Sequence, residues 1–301
     1  MRARLARGPL LAGLATIVAA GCGSDPGASL PSAVAEAFPP DTLRSREVSQ
    51  GVRYHYLWAP EGPFAIHLVE VSLDRCGLDF DVGLANADGT PGLRRVTEIA
   101  AASAEERPVL VAVNGDFFTA EGHPVGTTVR RGDVHRDQLR PAFAWRRGDG
   151  AWIGPVEVDS GRLTGAGWAV DEGEVDVVSG FPEVLDGGVR VGDLGVADNP
   201  SFAAARHPRT AVAVDSVRGR LWLIVADGRQ GEYATGLTLP ELAVLAEALG
   251  AAEAINLDGG GSSVMVIEGA VVSRPSDATG ERAVANALLL VADPAGCRSG
   301  R

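Results

Sequence analysis

The chain has 301 residues, with 27 basic and 39 acidic side chains, and all 27 basic residues are arginines. The absence of lysine excludes Schiff-base enzymes and nucleotide hydrolases that depend on a phosphate-loop lysine. The net charge of -12 argues against a nucleic-acid partner, because such a partner requires a basic surface. With 46% hydrophobic residues, the chain can bury a core of globular size.

The first 21 residues have the pattern of an export signal. Three arginines precede an uncharged stretch, 8–21, which is too short for a stable membrane span. This stretch leads into Ala-Ala-Gly-Cys at 19–22, which is similar to a bacterial lipobox with alanine in place of the usual leucine. We therefore expect lipidation of Cys22 and a lipid-anchored protein of the cell envelope. The alternative is an ordinary cleaved signal with an incidental cysteine.

The remainder of the chain divides into a tether and one domain. The segment 22–50 is rich in small and polar residues, which predicts a flexible tether, and 51–297 is predicted to be a single domain. Cys76 and Cys297 are an even pair in an oxidising compartment, so we predict a disulfide between them. Two unpaired thiols are the alternative.

The first half of the domain is predicted to consist mainly of short strands. Segments 65–73 and 78–84 are expected to form a hairpin around the turn at 74–77. Apolar residues at helical spacing predict a helix over 93–106. The apolar run 109–113 is typical of a buried strand.

The last third has clearer signals. Thr238 and Glu241 form the pattern of a capping box, which predicts a helix that continues to Leu249. The predicted strands in this part are 211–214, 221–226, 254–257, 264–267 and 287–291. The fold class is therefore α/β or α+β, with a mixed β-sheet core and a few flanking helices.

Polar residues follow several of these strands directly. Asn114 and Asp116 follow one strand, Asp227 and Arg229 follow another, and a run of three glycines and two serines begins at Gly259. Loops at strand ends present functional groups from a rigid scaffold. Successive glycine N–H groups can surround one anion, and arginine can grip a phosphate with two hydrogen bonds. A tight turn without function is the alternative for the glycine run.

No cofactor and no metal ion are predicted. The five histidines lack the spacing of known ligand motifs, so we interpret them as mostly structural. Four carboxylates could supply oxygen ligands to a cation, namely those of Asp116, Asp227, Asp258 and Glu281. Their spacing does not match a known cation-binding loop, so no metal site is predicted.

Taken in order, the motifs of the chain resemble those of the phosphodiester glycosidase family. These motifs are Asn114-Gly115-Asp116-Phe117-Phe118, Arg209-Thr210-Ala211, Asp227-Gly228-Arg229-Gln230, Thr238-Leu239-Pro240-Glu241, Asn256-Leu257-Asp258-Gly259-Gly260-Gly261-Ser262-Ser263, Arg274-Pro275-Ser276-Asp277, Gly280-Glu281-Arg282 and Asn286-Ala287. The resemblance implies a phosphodiester glycosidase-like fold. It also implies hydrolysis of a sugar-1-phosphodiester to a free sugar and a phosphomonoester, in the cell envelope.

The site hypothesis combines this resemblance with the chemistry of the residues. Asp258 is assigned the role of nucleophile or base and Glu281 that of second carboxylate, with Asp116 as a further catalytic candidate. The expected substrate- and phosphate-binding residues are Asn114, Arg209, Asp227, Arg229, Asn256, Gly259, Gly260, Gly261, Ser262, Ser263, Arg282 and Asn286.

Three other functions are alternatives. One is a non-catalytic envelope lipoprotein of the same fold that binds a glycan or exopolysaccharide. The second is a phosphodiesterase that cuts the P–O bond rather than the C1–O bond of the sugar. The third is a structural lipoprotein without a site, which requires the ordered motifs to be incidental.

Overall fold

The computed structural model describes residues 30–170, 175–194, 197–294 and 296–297. The predicted signal 1–21 and the lipidation site Cys22 lie outside the described residues. In the described ranges, no helix has the length and apolar character that crossing a membrane requires.

The described part of the chain is mostly strand, with a few short helices. The first ten strands are β1 Thr42–Ser49, β2 Val52–Ala59, β3 Phe64–Ser72, β4 Leu78–Leu84, β5 Val109–Asn114, β6 Thr128–Arg130, β7 Asp133–Arg136, β8 Arg140–Arg146, β9 Gly150–Val156 and β10 Val158–Asp159. The others are β11 Arg162–Leu163, β12 Val175–Ser179, β13 Glu183–Asp186, β14 Val189–Arg190, β15 Arg209–Asp215, β16 Arg220–Ala226, β17 Glu253–Asn256, β18 Met265–Ile267, β19 Ala270–Val271 and β20 Asn286–Ala292. The helices are α1 Ser32–Ala37, α2 Val96–Ser103, α3 Pro200–Ala203 and α4 Leu239–Ala248, with a 3₁₀ turn at Gly260–Ser262.

Three sheets form the body of the domain. The large sheet has the order β1-β2-β3-β16-β15-β17-β13-β14, the central sheet β19-β18-β5-β20-β4, and the small sheet β7-β6-β12-β8-β9. All these neighbours pair in antiparallel fashion. The structure confirms a β-sheet core with a few helices, and the antiparallel pairing favours the α+β class.

The core is arranged in layers that follow from strand alternation. Trp222 of β16 belongs to the same buried cluster as Leu245 of α4 on one face of the large sheet, while the adjacent Leu223 belongs to the cluster of Leu288 of the central sheet on the other. Residues on alternate positions of a strand point to opposite faces, so one strand serves two cores. The far face of the central sheet is covered by α2, where Ile99 is buried.

Two predictions about local organisation were wrong. Strands β3 and β4 do not form a hairpin, because β3 pairs with β2 and β16 while β4 pairs with β20. The tether predicted over 22–50 was also drawn too long, because its second half belongs to the domain. Helix α1 buries Val34 in the core beside α4, and β1 pairs with β2. Phe38 packs edge to face on Phe64 at 5.3 Å, so a few apolar side chains are enough to order this segment.

Two other predictions are confirmed. Cys76 and Cys297 form a disulfide that ties the C-terminal segment to the start of β4. Thr238 Oγ1 accepts a hydrogen bond from the Glu241 N–H (3.1 Å), and the Glu241 carboxylate accepts one from the Thr238 N–H (2.9 Å), which completes the capping box of α4. The box fixes the start of α4 beside Leu237, whose carbonyl belongs to the site described next.

Candidate active site

Several strand ends meet at one edge of the two packed sheets. In the large sheet, Arg209 at the start of β15 is opposite Ala226 at the end of β16, and the Leu257 N–H after β17 donates to the Thr210 carbonyl. In the central sheet, the Gly115 carbonyl after β5 accepts from the Asp258 N–H. Antiparallel pairing therefore brings the polar motifs that follow separate strands into one place.

A pocket of about 320 Å³ opens where these motifs meet. It is lined by Phe117, Asn199, Ser201, Phe202, His207, Arg209, Arg229, Asp258, Gly259, Gly260 and Arg282. The sequence had pointed to six of these residues as site residues. It had not selected the two phenylalanines, His207, or the polar residues beside α3.

The run of three glycines does not present a row of free N–H donors. Its role in the site is to leave space for arginine side chains. The Gly259 N–H donates to the Asp258 carboxylate and the Gly260 N–H to the Pro208 carbonyl, so both are used within the protein. Gly260 has φ +63°, and a Cβ there would lie 3.1 Å from the Arg229 guanidinium. A Cβ at Gly261 would overlap the guanidinium of Arg282. The glycines therefore let two cations approach the backbone closely.

Arg229 is a cation without a carboxylate partner in the described structure. Its guanidinium Nη2 lies 3.1 Å from His207 Nδ1, while His207 Nε2 lies 2.8 Å from the Ser201 carbonyl. The carbonyl can only accept, so Nε2 carries the proton and Nδ1 accepts from Arg229. Arg229 also has φ +60°, a conformation that is uncommon for a residue with a side chain.

The other two arginines are more constrained. Arg282 binds Asp277 with two hydrogen bonds of 2.8 and 3.0 Å. Arg209 is fully buried and donates from Nε and Nη2 to the carbonyls of Leu237 and Phe202. Burial lowers the pKa of Arg209 to about 10, with the charge of Arg229 as a smaller cause, so the group stays positive at neutral pH.

Two aspartates lie on neighbouring loops, which are joined by the hydrogen bond from the Asp258 N–H to the Gly115 carbonyl. Asp258 lines the pocket, and burial raises its pKa, opposed by the Ser262 hydroxyl and the Gly259 N–H. Asp116 is 1% exposed, and burial raises its pKa to about 7, with the charge of Asp258 adding to the rise. Asp116 Oδ2 accepts a hydrogen bond from the Gly126 N–H (2.6 Å), while Oδ1 has no partner in the described structure.

Glu281 and Asp227 are placed away from this pocket, contrary to the site hypothesis. The Glu281 carboxylate accepts hydrogen bonds from the Thr97 N–H (2.9 Å) and hydroxyl (2.8 Å), at the start of α2. It therefore stabilises a helix N-terminus, where a negative charge is favourable. Asp227 turns to His67 and Tyr233 on another side of its loop. Across the described ranges, no group of three or more His, Cys, Asp or Glu residues could hold a metal ion.

The three asparagines expected to bind sugar hydroxyls are mostly engaged within the protein. Asn114 accepts from the Thr210 hydroxyl (2.7 Å) and donates to the Asp258 carbonyl (2.6 Å). Asn286 Oδ1 accepts from the Asp116 N–H at 2.8 Å, and Asn256 Nδ2 donates to two carbonyls at 2.8 Å. All three are fully buried, so they join the loops of the two sheets and thereby position Asp116 and Asp258.

The residues that the sequence did not reveal form the aromatic wall of the pocket and support Arg229. The rings of Phe117 and Phe202 pack edge to face at 6.1 Å, and Arg140 lies over the Phe117 ring. Phe117 belongs to a motif of the sequence, whereas a lone histidine such as His207 gives no recognisable signal. Only its place just before β15, at the same edge as the other loops, could have indicated it.

A family model described as phosphodiester glycosidase matches residues 107–291, which is more than half of the chain. The chain belongs to the phosphodiester glycosidase family. The match includes the glycine run and all three pocket arginines, and it begins just before the strand that carries Asn114.

The individual proteins that are similar to this chain have low sequence identity to it. The N-acetylglucosamine-1-phosphodiester alpha-N-acetylglucosaminidase of Mus musculus is 30% identical over 187 residues, covering 56% of this chain and 33% of that protein. The match therefore spans about a third of the curated relative. The catalytic domain of the zebrafish enzyme of the same name, auto-inhibited by its pro-peptide, has a TM-score of 0.61 at 23% identity and covers 83% of each chain. A putative exported protein from Burkholderia pseudomallei has a TM-score of 0.63 at 19% identity, covering 76% of this chain and 74% of that one. At these identities the structures show a shared fold.

Proposed function

We propose that the protein hydrolyses a sugar-1-phosphodiester, such as an N-acetylglucosamine 1-phosphodiester, to a free sugar and a phosphomonoester. The observation that supports this most is the Arg229 guanidinium, which has no carboxylate partner among the described residues, in the same pocket as the Asp258 carboxylate. A phosphodiester carries an anionic group next to the reacting sugar carbon, so it needs this combination of cation and carboxylate. Membership of the phosphodiester glycosidase family supports the same reaction.

Arg229 is the principal phosphate ligand in this proposal. Its planar guanidinium can form two parallel hydrogen bonds to phosphate oxygens, and no carboxylate of the described structure competes for it. Arg282 adds positive charge from the other side of the glycine run, although Asp277 already engages it. Arg209 contributes a buried charge behind them.

Asp258 acts on the sugar carbon. In one route its carboxylate attacks C1, the C1–O bond breaks, the phosphomonoester leaves with the electron pair, and a water then hydrolyses the glycosyl–Asp258 ester to free sugar. In the other route the carboxylate takes a proton from a water that attacks C1 directly as the phosphomonoester leaves. A phosphate leaves readily, so little protonation of the leaving oxygen is needed. Asp116 replaces Glu281 as the second carboxyl group, because its pKa of about 7 lets it take up or release a proton near neutral pH.

The activity of the Asp258→Asn variant tests this proposal. We expect the wild-type domain to release free sugar from a sugar-1-phosphodiester panel, and the variant to be slower by about 10³-fold or more. Asp159→Asn is the matched control, since Asp159 is an exposed aspartate on β10 and should leave the rate unchanged. Sugar release at a similar rate by both variants would contradict the role of Asp258.

Two measurements separate this function from its alternatives. In oxygen-18 water, cleavage of C1–O places the label in the sugar, whereas cleavage of P–O places it in the phosphate. Binding of the panel without any turnover would favour the glycan-binding alternative instead.

We also propose that the protein is exported and lipid-anchored at Cys22 in the cell envelope. The disulfide supports export, because such bonds persist in oxidising compartments. Mass spectrometry of the membrane fraction should find a lipid on Cys22, and the Cys22→Ser protein should move to the soluble fraction. An unmodified Cys22 in exported protein would contradict the anchor.

A further inference from the structure

All three tyrosines of the sequence line one cleft of about 430 Å³ outside the candidate active site. Strands β1 to β3 supply most of its walls, and Tyr233 comes from the loop after β16. The cleft is lined by Arg44, Ser45, Arg46, Tyr54, Tyr56, His67, Tyr233 and Val272. None of these residues lines the candidate active site. The sequence has only three tyrosines, and all of them contribute to this cleft.

A buried histidine–aspartate pair under the cleft engages two of the phenol hydroxyls. His67 Nε2 lies 3.1 Å from Asp227 Oδ2, and the Tyr233 hydroxyl donates to the same oxygen at 3.1 Å. The carboxylate accepts, so the proton of the Tyr233 hydroxyl points to Asp227 and His67 Nε2 carries a proton. The Tyr54 hydroxyl lies 2.7 Å from His67 Nδ1 and is hydrogen-bonded to it.

These bonds determine what the cleft offers to a ligand. The Tyr233 proton points to Asp227, so its oxygen offers lone pairs, one of them near the Tyr56 hydroxyl at 3.5 Å. The hydroxyls of Tyr54 and Tyr233 are thus held in place by buried partners. Burial raises the pKa of both phenols, which therefore stay protonated at neutral pH. Aromatic walls with fixed acceptor oxygens suit a molecule with apolar ring faces and several hydroxyl donors, which is the chemistry of a saccharide.

The rim of the cleft adds positive charge. The Arg44 side chain is exposed and makes no hydrogen bond or ion pair in the described structure. Arg46 lies over the Tyr54 ring at 5.6 Å and reaches Glu268 at 3.3 Å, an ion pair between side chains that are about half exposed. Such surface pairs are weak and leave the arginine available to another anion. The rim therefore favours a ligand with negative charge, in a protein whose net charge is -12.

We infer that this cleft is a second binding site, which takes an anionic oligosaccharide. The tyrosine rings and oxygens bind the sugar rings and hydroxyls, and Arg44 and Arg46 bind the acidic substituent. The site does not depend on the proposed catalytic reaction, because its residues are separate from those of the candidate active site.

Binding of trigalacturonate, an acidic trisaccharide without a phosphodiester, tests this inference. Tyrosine labelled with carbon-13 in the ring gives three resonances, one for each residue of the cleft. We expect all three to shift with trigalacturonate, and the neutral maltotriose to bind about tenfold more weakly. Unmoved tyrosine resonances, or equal affinity for the two sugars, would overturn the inference.

Two variants assign the contacts. Arg44→Ala should weaken trigalacturonate binding about tenfold, and Tyr233→Phe, which removes an acceptor oxygen, about threefold to tenfold. Arg136→Ala is the matched control, because Arg136 is an exposed arginine on β7 and should not affect binding. If Arg44→Ala binds as tightly as this control, the rim has no part in recognition and the inference fails. Because no step requires turnover, an inactive enzyme would not affect the result.

Discussion

Two regions of the molecule hold arginines next to buried aspartates, and they use this chemistry differently. In the arginine–aspartate cluster, Asp79 and Asp81 of β4 are paired with three arginines at 2.5–2.8 Å, and these are Arg107, Arg131 and Arg147. In the candidate active site, Arg229 has only a neutral histidine as its partner in the described structure. The ion pairs of the cluster join the central sheet to the small sheet, whereas Arg229 forms no ion pair with the described residues and contacts only His207.

The difference separates structural charges from functional ones. Charges removed from water cost free energy, and close opposite charges offset that cost. In the arginine–aspartate cluster, both aspartates and the arginines around them have close partners of opposite charge, so no ligand is needed to balance them. Arg229 is exposed, so water solvates its charge without an ion pair, and the guanidinium remains available to an anionic substrate. Four substitutions test this contrast, beginning with the one that should change activity most.

Arg229→Ala should lower kcat/KM for a sugar-1-phosphodiester by about 100- to 1,000-fold, because the phosphate loses its main cation. The free energy of unfolding should change by less than about 1 kcal/mol, since no ion pair is broken. Steady-state kinetics and urea unfolding measure the two quantities. Arg136→Ala is the control. A large loss of stability with unchanged kinetics would place Arg229 with the structural charges.

Arg107→Ala should have the opposite result, with a loss of stability and almost unchanged kinetics. It leaves Asp79 and Asp81 short of one partner each, and we expect a loss of about 2 kcal/mol in unfolding free energy because Arg131 and Arg147 remain. The kinetics of the folded variant should stay within about twofold of the wild type. An unchanged urea midpoint would show that the cluster is not a structural element.

The protonation of Asp176, which lies beside the arginine–aspartate cluster, makes the stability of the folded protein depend on pH. Burial raises the pKa of Asp176 to about 8, with Asp81 as the next cause, while its carboxylate accepts from the N–H groups of Val82 and Arg131. The folded state then keeps a proton that the unfolded state releases near pH 4, so this group lowers stability as pH rises from about 4 to 8. Asp176→Asn should remove the effect, and its stability relative to wild type should increase by about 1–3 kcal/mol over that range. Unfolding curves with parallel pH dependence would contradict this assignment.

Glu281→Gln should produce the smallest effect. It weakens the contact with Thr97 at the start of α2, which we expect to cost about 0.5–1 kcal/mol of stability. Sugar release should remain within about twofold, in contrast to Asp258→Asn. A loss of activity near 100-fold would restore Glu281 to the catalytic role that its motif had predicted.

Local pattern was sufficient for several features of this chain. The capping box of α4 depends on two residues three positions apart, and the strand-end location of Asp116, Arg229 and Asp258 depends on apolar runs followed by polar residues. The ordered motifs were sufficient for the family. These features can be predicted because their causes lie within a few neighbouring residues.

The direction of each side chain was decided only by the tertiary structure. Asp227 and Arg229 are two positions apart, yet one faces His67 and the other the candidate active site. Strand β4 pairs with β20, from the far end of the chain, instead of with the adjacent β3. Sequence spacing does not specify which distant strand will lie alongside, and that neighbour determines whether a polar group such as Glu281 binds the protein or remains available to a substrate.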